Sequence, residues 1–207
     1  MPRKTWQYTG LRSLINMSDN RNSEITHDTE DKSWWLQHGE NLEFDFVTKC
    51  RNLLGLEISI NPQKQIDKTA PDLVFEGCLA DLKTQNTPFF TSSRYGIDPR
   101  FCVTFNRKDF ERYAAMYPEI IIFFWVDWKQ LSYKEYSTSH LAGVFKVDFK
   151  QLREMVAGGA PEHAYQRRVD DKAGNAKTSF LFDVRNMSNL LELVQDPTSE
   201  IISKFKD

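Results

Sequence analysis

Cysteine is scarce in this chain. The 207 residues hold three, Cys50, Cys78 and Cys102, far apart and odd in number. That pattern argues against a disulfide framework, and no paired Cys/His spacing builds a zinc site. Each cysteine falls in an apolar periodic segment, so all three are expected as buried free thiols. Long apolar runs are lacking as well. The longest, Ile120 to Val126, is far too short to span a bilayer. The first residues carry no apolar signal-peptide core. A reducing cytoplasm fits these features, and a membrane partner does not. There is no glycine-rich phosphate loop, no internal repeat and no low-complexity tract. Excess charge is also missing. Net charge is −2, with 40% hydrophobic and 27% charged residues, ordinary values for a globular chain. Any nucleic-acid contact therefore requires positive charge gathered locally.

What the chain does have is a charged hairpin. In Pro71-Asp72-Leu73-Val74-Phe75-Glu76, Leu73 and Phe75 alternate with Asp72, Val74 and Glu76, the period of a strand. Leu79, Asp81, Lys83 and Gln85 alternate with Ala80, Leu82 and Thr84 in a second strand. Gly77-Cys78 between them predicts a two-residue type II′ turn with glycine first. That register pairs Val74 with Asp81 and Asp72 with Lys83. Paired residues share a face, so Asp72, Asp81, Lys83 and Gln85 converge. A one-residue change in loop length would send the two groups to opposite faces. Clustered carboxylates suit a hard divalent cation such as Mg²⁺. A lysine beside them suits a phosphate or an attacking water, the parts of metal-assisted phosphodiester hydrolysis. Read blandly, the same residues are a surface hairpin of mixed charge.

Pro71-Asp72, an eight-residue spacer and Asp81-Leu82-Lys83 resemble the motif of the PD-(D/E)xK nuclease superfamily, the group of restriction endonucleases and junction resolvases. Upstream, Gly39 and Glu43 in an amphipathic segment ending at Leu54-Gly55 are similar to the helix that carries the family's third acid. Gln85, two residues beyond Lys83, also matches many members. The convincing stretch is residues 39–85, with a looser match to about residue 128. The resemblance implies an α/β fold with a restriction-endonuclease-like core: a central mixed β-sheet flanked by helices in the order αβββαβ. It implies Mg²⁺-dependent hydrolysis of DNA, by an endonuclease, with Mn²⁺ as substitute metal. Asp72, Asp81, Glu43 and the Leu82 carbonyl would hold the metal. Lys83 would position or activate the water, and Gln85 would orient Lys83 or a substrate group. The alternative is a nucleic-acid-binding or assembly subunit that keeps the fold without turnover.

Residues 1–32 are polar and read as a mobile N-terminal segment with a short docking stretch around Trp6 to Ile15. Residues 33–207 read as one α/β domain, core 39–128 and C-terminal extension 129–207. Within it the periodicity predicts a helix over 40–54, a strand over 56–60 and the two hairpin strands. A short strand over 101–105 follows, then a helix from Arg107 to Tyr117 capped by Asn106. Glu119 to Trp128 reads as a strand buried on both faces. The extension adds a strand over 144–149, a helix over 149–157 closed by Gly158-Gly159, a strand through Phe180, Phe182 and Val184, and a last helix over 188–195. It would extend the sheet, support a homodimer or shape the substrate groove, three roles the sequence leaves open.

Aromatic and basic residues interleave over 86–112, which suits base stacking and phosphate contact. Arg94, Arg100, Arg107 and Lys108 are the phosphate candidates there, with Arg167 and Arg168 in a second patch beside His163. DNA is the expected partner, with RNA as a second possibility. His163 has no evident orienting partner and reads as non-catalytic. Asp127 reads as the polar edge of its strand, with metal binding as the alternative, and Lys64 and Lys68 as solvated, with substrate contact as the alternative. Trp34-Trp35 would staple the start of the first helix. On that helix, at about 100° per residue, Glu43 falls inside the stripe of Leu42, Phe46, Val47 and Cys50, and Glu40 just past its edge. A carboxylate within an apolar stripe needs a partner, so Glu43 is expected as the site acid beside a metal held by Asp72 and Asp81; the bland alternative is a buried ion pair, or a helix-start acid, which Glu40 fits better.

Overall fold

Apolar periodicity selects most of the elements, and glycine and asparagine end them. The computed structural model describes residues 32–165, 178–194 and 202–203. The fold is α/β, a mixed central sheet with a few helices. The chain divides into two compact units, Met1–Leu82 and Lys83–Asp207. The N-terminal docking stretch and linker, Arg167, Arg168 and Asp170-Asp171 lie outside the described residues.

In the first unit, helix α1 spans Lys32–Leu54. It begins earlier than the expected residue 40, because no proline interrupts Ser33 to Gly39 and the single Gly39 lowers propensity without stopping a helix. Trp34 and Trp35 therefore lie inside it rather than before it. Leu42, Phe46, Val47 and Cys50 are buried along one face, the stripe the periodicity predicts. Gly55 ends the helix at φ +66°, a left-handed conformation that a Cβ disfavours. Its N–H returns to the Arg51 carbonyl. Strands β1 (Ile58–Ile60), β2 (Leu73–Phe75) and β3 (Cys78–Gln85) follow. β2 pairs antiparallel with both neighbours, Ile60 opposite Leu73 and Leu73 opposite Ala80.

The hairpin turn differs from expectation. Phe75 pairs with Cys78, so the loop is Glu76-Gly77, and both residues have positive φ, 49° and 79°. This is the type I′ signature, whose twist matches that of the strands. Glycine takes the second central position, and Glu76 accepts a left-handed conformation that disfavours a side-chain residue by about 1–2 kcal/mol. Moving the loop back by one residue shifts the pairing by two. Parity of the register is kept, and the pairing ends at Leu73 and Ala80, with Asp72 in a bend just before β2. The shift also leaves Cys78 exposed, contrary to expectation, whereas Cys50 and Cys102 are buried. Burial pushes both buried thiols up to about 12.

In the second unit, β4 (Cys102–Asn106) leads into helix α2 (Arg107–Met116). The helix is N-capped as expected: the Asn106 side chain accepts from the Lys108 amide at 2.8 Å. Strand β5 (Ile121–Asp127) is the apolar run and is buried from Ile122 onward. A short hairpin, β6 (Ser132–Tyr133) with β7 (Tyr136–Ser137), connects it to β8 (Ala142–Asp148). β5 and β8 pair antiparallel, Phe124 opposite Phe145. Helix α3 (Phe149–Ala157) ends at Gly158 as expected. β4 lies in a separate three-stranded sheet with β9 (Glu162–Ala164) and β10 (Thr178–Asp183). Val184 starts a 3-10 turn rather than ending β10. Residues 188–195 do not form the expected helix. Ser188–Val194 is strand β11, antiparallel to β8, with an irregularity between Asn189 and Leu191. A short leucine pair fits either period, and an available sheet edge decides between them. Phe105, Tyr113, Phe124, Trp128, Phe149 and Phe182 fill the core of this unit. Each such side chain contributes roughly 1.5–3 kcal/mol on burial.

Candidate functional site

Asn61 organises the first unit's charged cluster. Its backbone N–H donates to the Asp72 carbonyl at 2.9 Å, which aligns the ends of β1 and β2. Its side-chain amide donates to the Pro71 carbonyl at 2.8 Å, and its side-chain oxygen accepts from the Gln63 N–H at 3.1 Å. That last bond caps a 3-10 turn, Pro62–Gln65, with proline at its start. Asn61 is itself buried. One asparagine thus fixes both the backbone of Asp72 and the turn that carries Lys64.

Lys64 is the lysine that meets the acids. Its ammonium donates to Glu43 Oε1 at 2.6 Å, to Glu43 Oε2 at 2.7 Å and to Asp72 Oδ1 at 2.6 Å. Three donors meet three carboxylate oxygens, the full capacity of an ammonium. Side-chain exposures are 14% for Lys64, 13% for Glu43 and 18% for Asp72. Burial alone would lower the Lys64 pKa, but hydrogen bonds and charge from Asp72 and Glu43 outweigh it and hold it above the usual lysine range. The expectation of a solvated Lys64 is therefore corrected. Glu43 lies on the partly buried side of α1 as the helical angle predicts, while the Glu40 side chain lies outside the described ones.

The second Asp72 oxygen, Oδ2, accepts from the Leu82 N–H at 3.2 Å. The carboxylate thereby replaces the next ladder bond, where Asp72 bends out of β2. Asp81 is buried at 2% exposure. Among the described residues, no group of three or more His, Cys, Asp and Glu side chains stands together as a metal cage. Glu43 and Asp72 converge on the Lys64 ammonium. Two carboxylates are the protein ligands that Mg²⁺ takes where water and phosphate complete its shell.

Lys83 and Gln85 have partners of their own in the second unit. The Lys83 ammonium lies 3.1 Å from Asp109 Oδ2 and 5.6 Å from the ring centroids of both Phe105 and Tyr113. Arg112 reaches the other Asp109 oxygen at 3.3 Å and also lies over Tyr113, 4.8 Å from its centroid. The Gln85 amide pairs with the main chain of Thr104, donating at 2.8 Å and accepting at 3.1 Å. It ties the end of β3 to β4.

The basic candidates are similarly engaged. Arg94 bonds the Tyr136 hydroxyl. Arg107 bridges Glu111 at 2.8 Å and Glu162 at 3.0 Å. The Arg100 guanidinium lies 5.1 Å from the Phe101 ring centroid, and Lys108 is exposed. His163 does have an orienting partner, the Tyr95 hydroxyl at 2.8 Å from Nδ1, and it packs on Phe89 and Tyr165 at 4.8 Å. Asp127 is more than a strand edge: it is buried, bonded to Lys129 and 3.2 Å from His140. Burial works to raise its pKa, yet the bonds from His140 and Lys129 hold it below the usual carboxylate range. Sequence reasoning missed Asn61, Asp109 and Arg112. An asparagine-proline pair with lysine two residues later was the available sign of a capped, lysine-bearing turn. Comparisons with protein-family models, with curated proteins and with solved structures return no match.

Proposed function

We propose that this chain is a metal-dependent nuclease with a restriction-endonuclease-like core, hydrolysing DNA phosphodiester bonds with Mg²⁺, or Mn²⁺ in its place. The observation that carries the reading is the meeting of Glu43, from a helix, and Asp72, from the start of a strand, on one cationic centre. Asp81 follows Ala80, whose partner Leu73 follows Asp72, and the hairpin alternation supports placing Asp81 with Asp72. Glu43, Asp72, Asp81 and the Leu82 carbonyl are the groups that would hold the ion, which when bound neutralises phosphate charge and acidifies a water. The chain's own residues supply the rest. The Leu82 N–H fixes the rotamer of Asp72, and Asn61 fixes its backbone. Lys83, two residues after Asp81 on one strand and therefore on the same side, attracts the phosphate or orients the water.

One observation favours a second reading, a nucleic-acid-binding or assembly subunit without turnover. Lys64 already satisfies Glu43 and Asp72, as a purely structural ion triad would. A cleavage assay separates the two. The purified chain is incubated with linear, circular, branched and single-stranded DNA, and with RNA, in Mg²⁺ or Mn²⁺. Metal-dependent products are expected from a DNA substrate. Asp81→Ala is expected to lower the rate by more than about 100-fold, beyond the usual cost of losing an outer-shell partner, with an unchanged circular dichroism spectrum. Cleavage of no substrate establishes the binding-only reading.

A further inference from the structure

We infer that Lys64 is a built-in occupant of the cation seat: its ammonium holds Glu43 and Asp72 together without metal and withdraws when a divalent ion binds. The inference rests on the proposed metal-ligand role of those two acids. The ammonium nitrogen lies 2.6–2.7 Å from three of their oxygens. A Mg²⁺ ion takes carboxylate oxygens at about 2.0–2.1 Å, so it would occupy the ammonium's own volume. Two cations do not share that space. Without Lys64, two largely buried carboxylates would face each other with no counter-charge, an arrangement that repels.

The local architecture allows an exchange. The turn backbone is pinned by Asn61, through its cap to Gln63 and its bond to Pro71. The residues on either side of Lys64, Gln63 and Gln65, are exposed. The lysine stem is flexible and its ammonium is strongly hydrated. The side chain can therefore swing outward to water while Asp72 and the turn keep their positions. Glu43, Asp72 and Lys64 together carry one net negative charge, so the seat still attracts a divalent ion while the lysine is in place. Lys64 acts as a positioning residue that sets metal affinity, because each binding event has to displace it.

Two measurements on the full chain test this. Calorimetric titration with Mn²⁺ compares the natural protein with Lys64→Met, which keeps the stem without the charge. At least tenfold tighter binding by Lys64→Met is expected. Equal or weaker binding by the variant overturns the inference and leaves the metal site standing. Binding by neither protein overturns both. The second measurement needs no variant. Acetylation of the Lys64 amine by an N-hydroxysuccinimide ester is followed by peptide mass spectrometry, with and without saturating Mn²⁺, using the exposed Lys150 as internal reference. A several-fold faster Lys64 reaction with metal is expected. An unchanged rate under conditions where titration shows binding overturns the inference.

Discussion

Two lysines of this chain sit in different surroundings, one among carboxylates and one against aromatic rings. Lys64 has two carboxylate partners, Glu43 and Asp72, and the group carries one net negative charge. Lys83 and Arg112 both face Asp109, and Lys83 lies over the rings of Phe105 and Tyr113. In the proposed nuclease the first group would take the cation, and Lys83, held against ring faces, would meet the phosphate. The difference teaches that a lysine's surroundings are set by the elements packed around it, three carboxylate oxygens for Lys64 and two ring faces for Lys83.

The largest expected effect separates the two acids at the centres of these groups. Asp72→Asn should reduce cleavage by more than about 100-fold, whereas Asp109→Asn should change it by no more than about 10-fold, the range for an outer partner. Initial rates on one DNA substrate check this. Equal losses would erase the distinction between the clusters.

A smaller effect concerns DNA binding. Lys83→Ala should weaken affinity and reduce the slope of log affinity against log salt by about one, the signature of one phosphate contact. Asp109→Asn should strengthen binding, since it removes the acid that offsets two cations. Fluorescence anisotropy across a salt series measures both. A slope that stays unchanged in Lys83→Ala would remove that residue from the phosphate contacts.

The smallest effect lies in metal-free stability at alkaline pH. The Lys64 pKa is raised on folding, because hydrogen bonds and charge from Asp72 and Glu43 outweigh burial. A raised lysine stabilises the fold fully below its unfolded value, near 10.4. That stability is lost as pH rises through the higher folded value. The natural chain should therefore show a drop in denaturation midpoint above about pH 10.4, and Lys64→Met should lack that component. Identical alkaline profiles would mean that the ion triad adds nothing to stability.

Much of the arrangement is legible in the sequence. The apolar stripe on α1, the Asn106 cap, the buried strand at Ile121–Asp127 and the antiparallel hairpin of β2 and β3 all follow from local sequence. The parity of the hairpin register survives even though the turn is type I′ rather than II′, because a two-residue loop displaced by one position shifts the pairing by two. Other features are not legible. Residues 188–195 fit either period until β8 offers an edge. Cys78 looks apolar and periodic, yet the actual loop leaves it exposed at the start of β3.

The sequence by itself determined which residue types are present and which local elements they form. Hydrogen bonding and apolar alternation act over a few neighbours, so helix faces, strand faces and the glycine that ends α1 could be read directly. Only the tertiary structure decided which lysine meets the acids. Lys64 and Glu43 are 21 residues apart in the chain, and their contact depends on Asn61 joining the Pro62–Gln65 turn to Pro71-Asp72. Electrostatic partnership acts through space, and no periodicity along the chain encodes it.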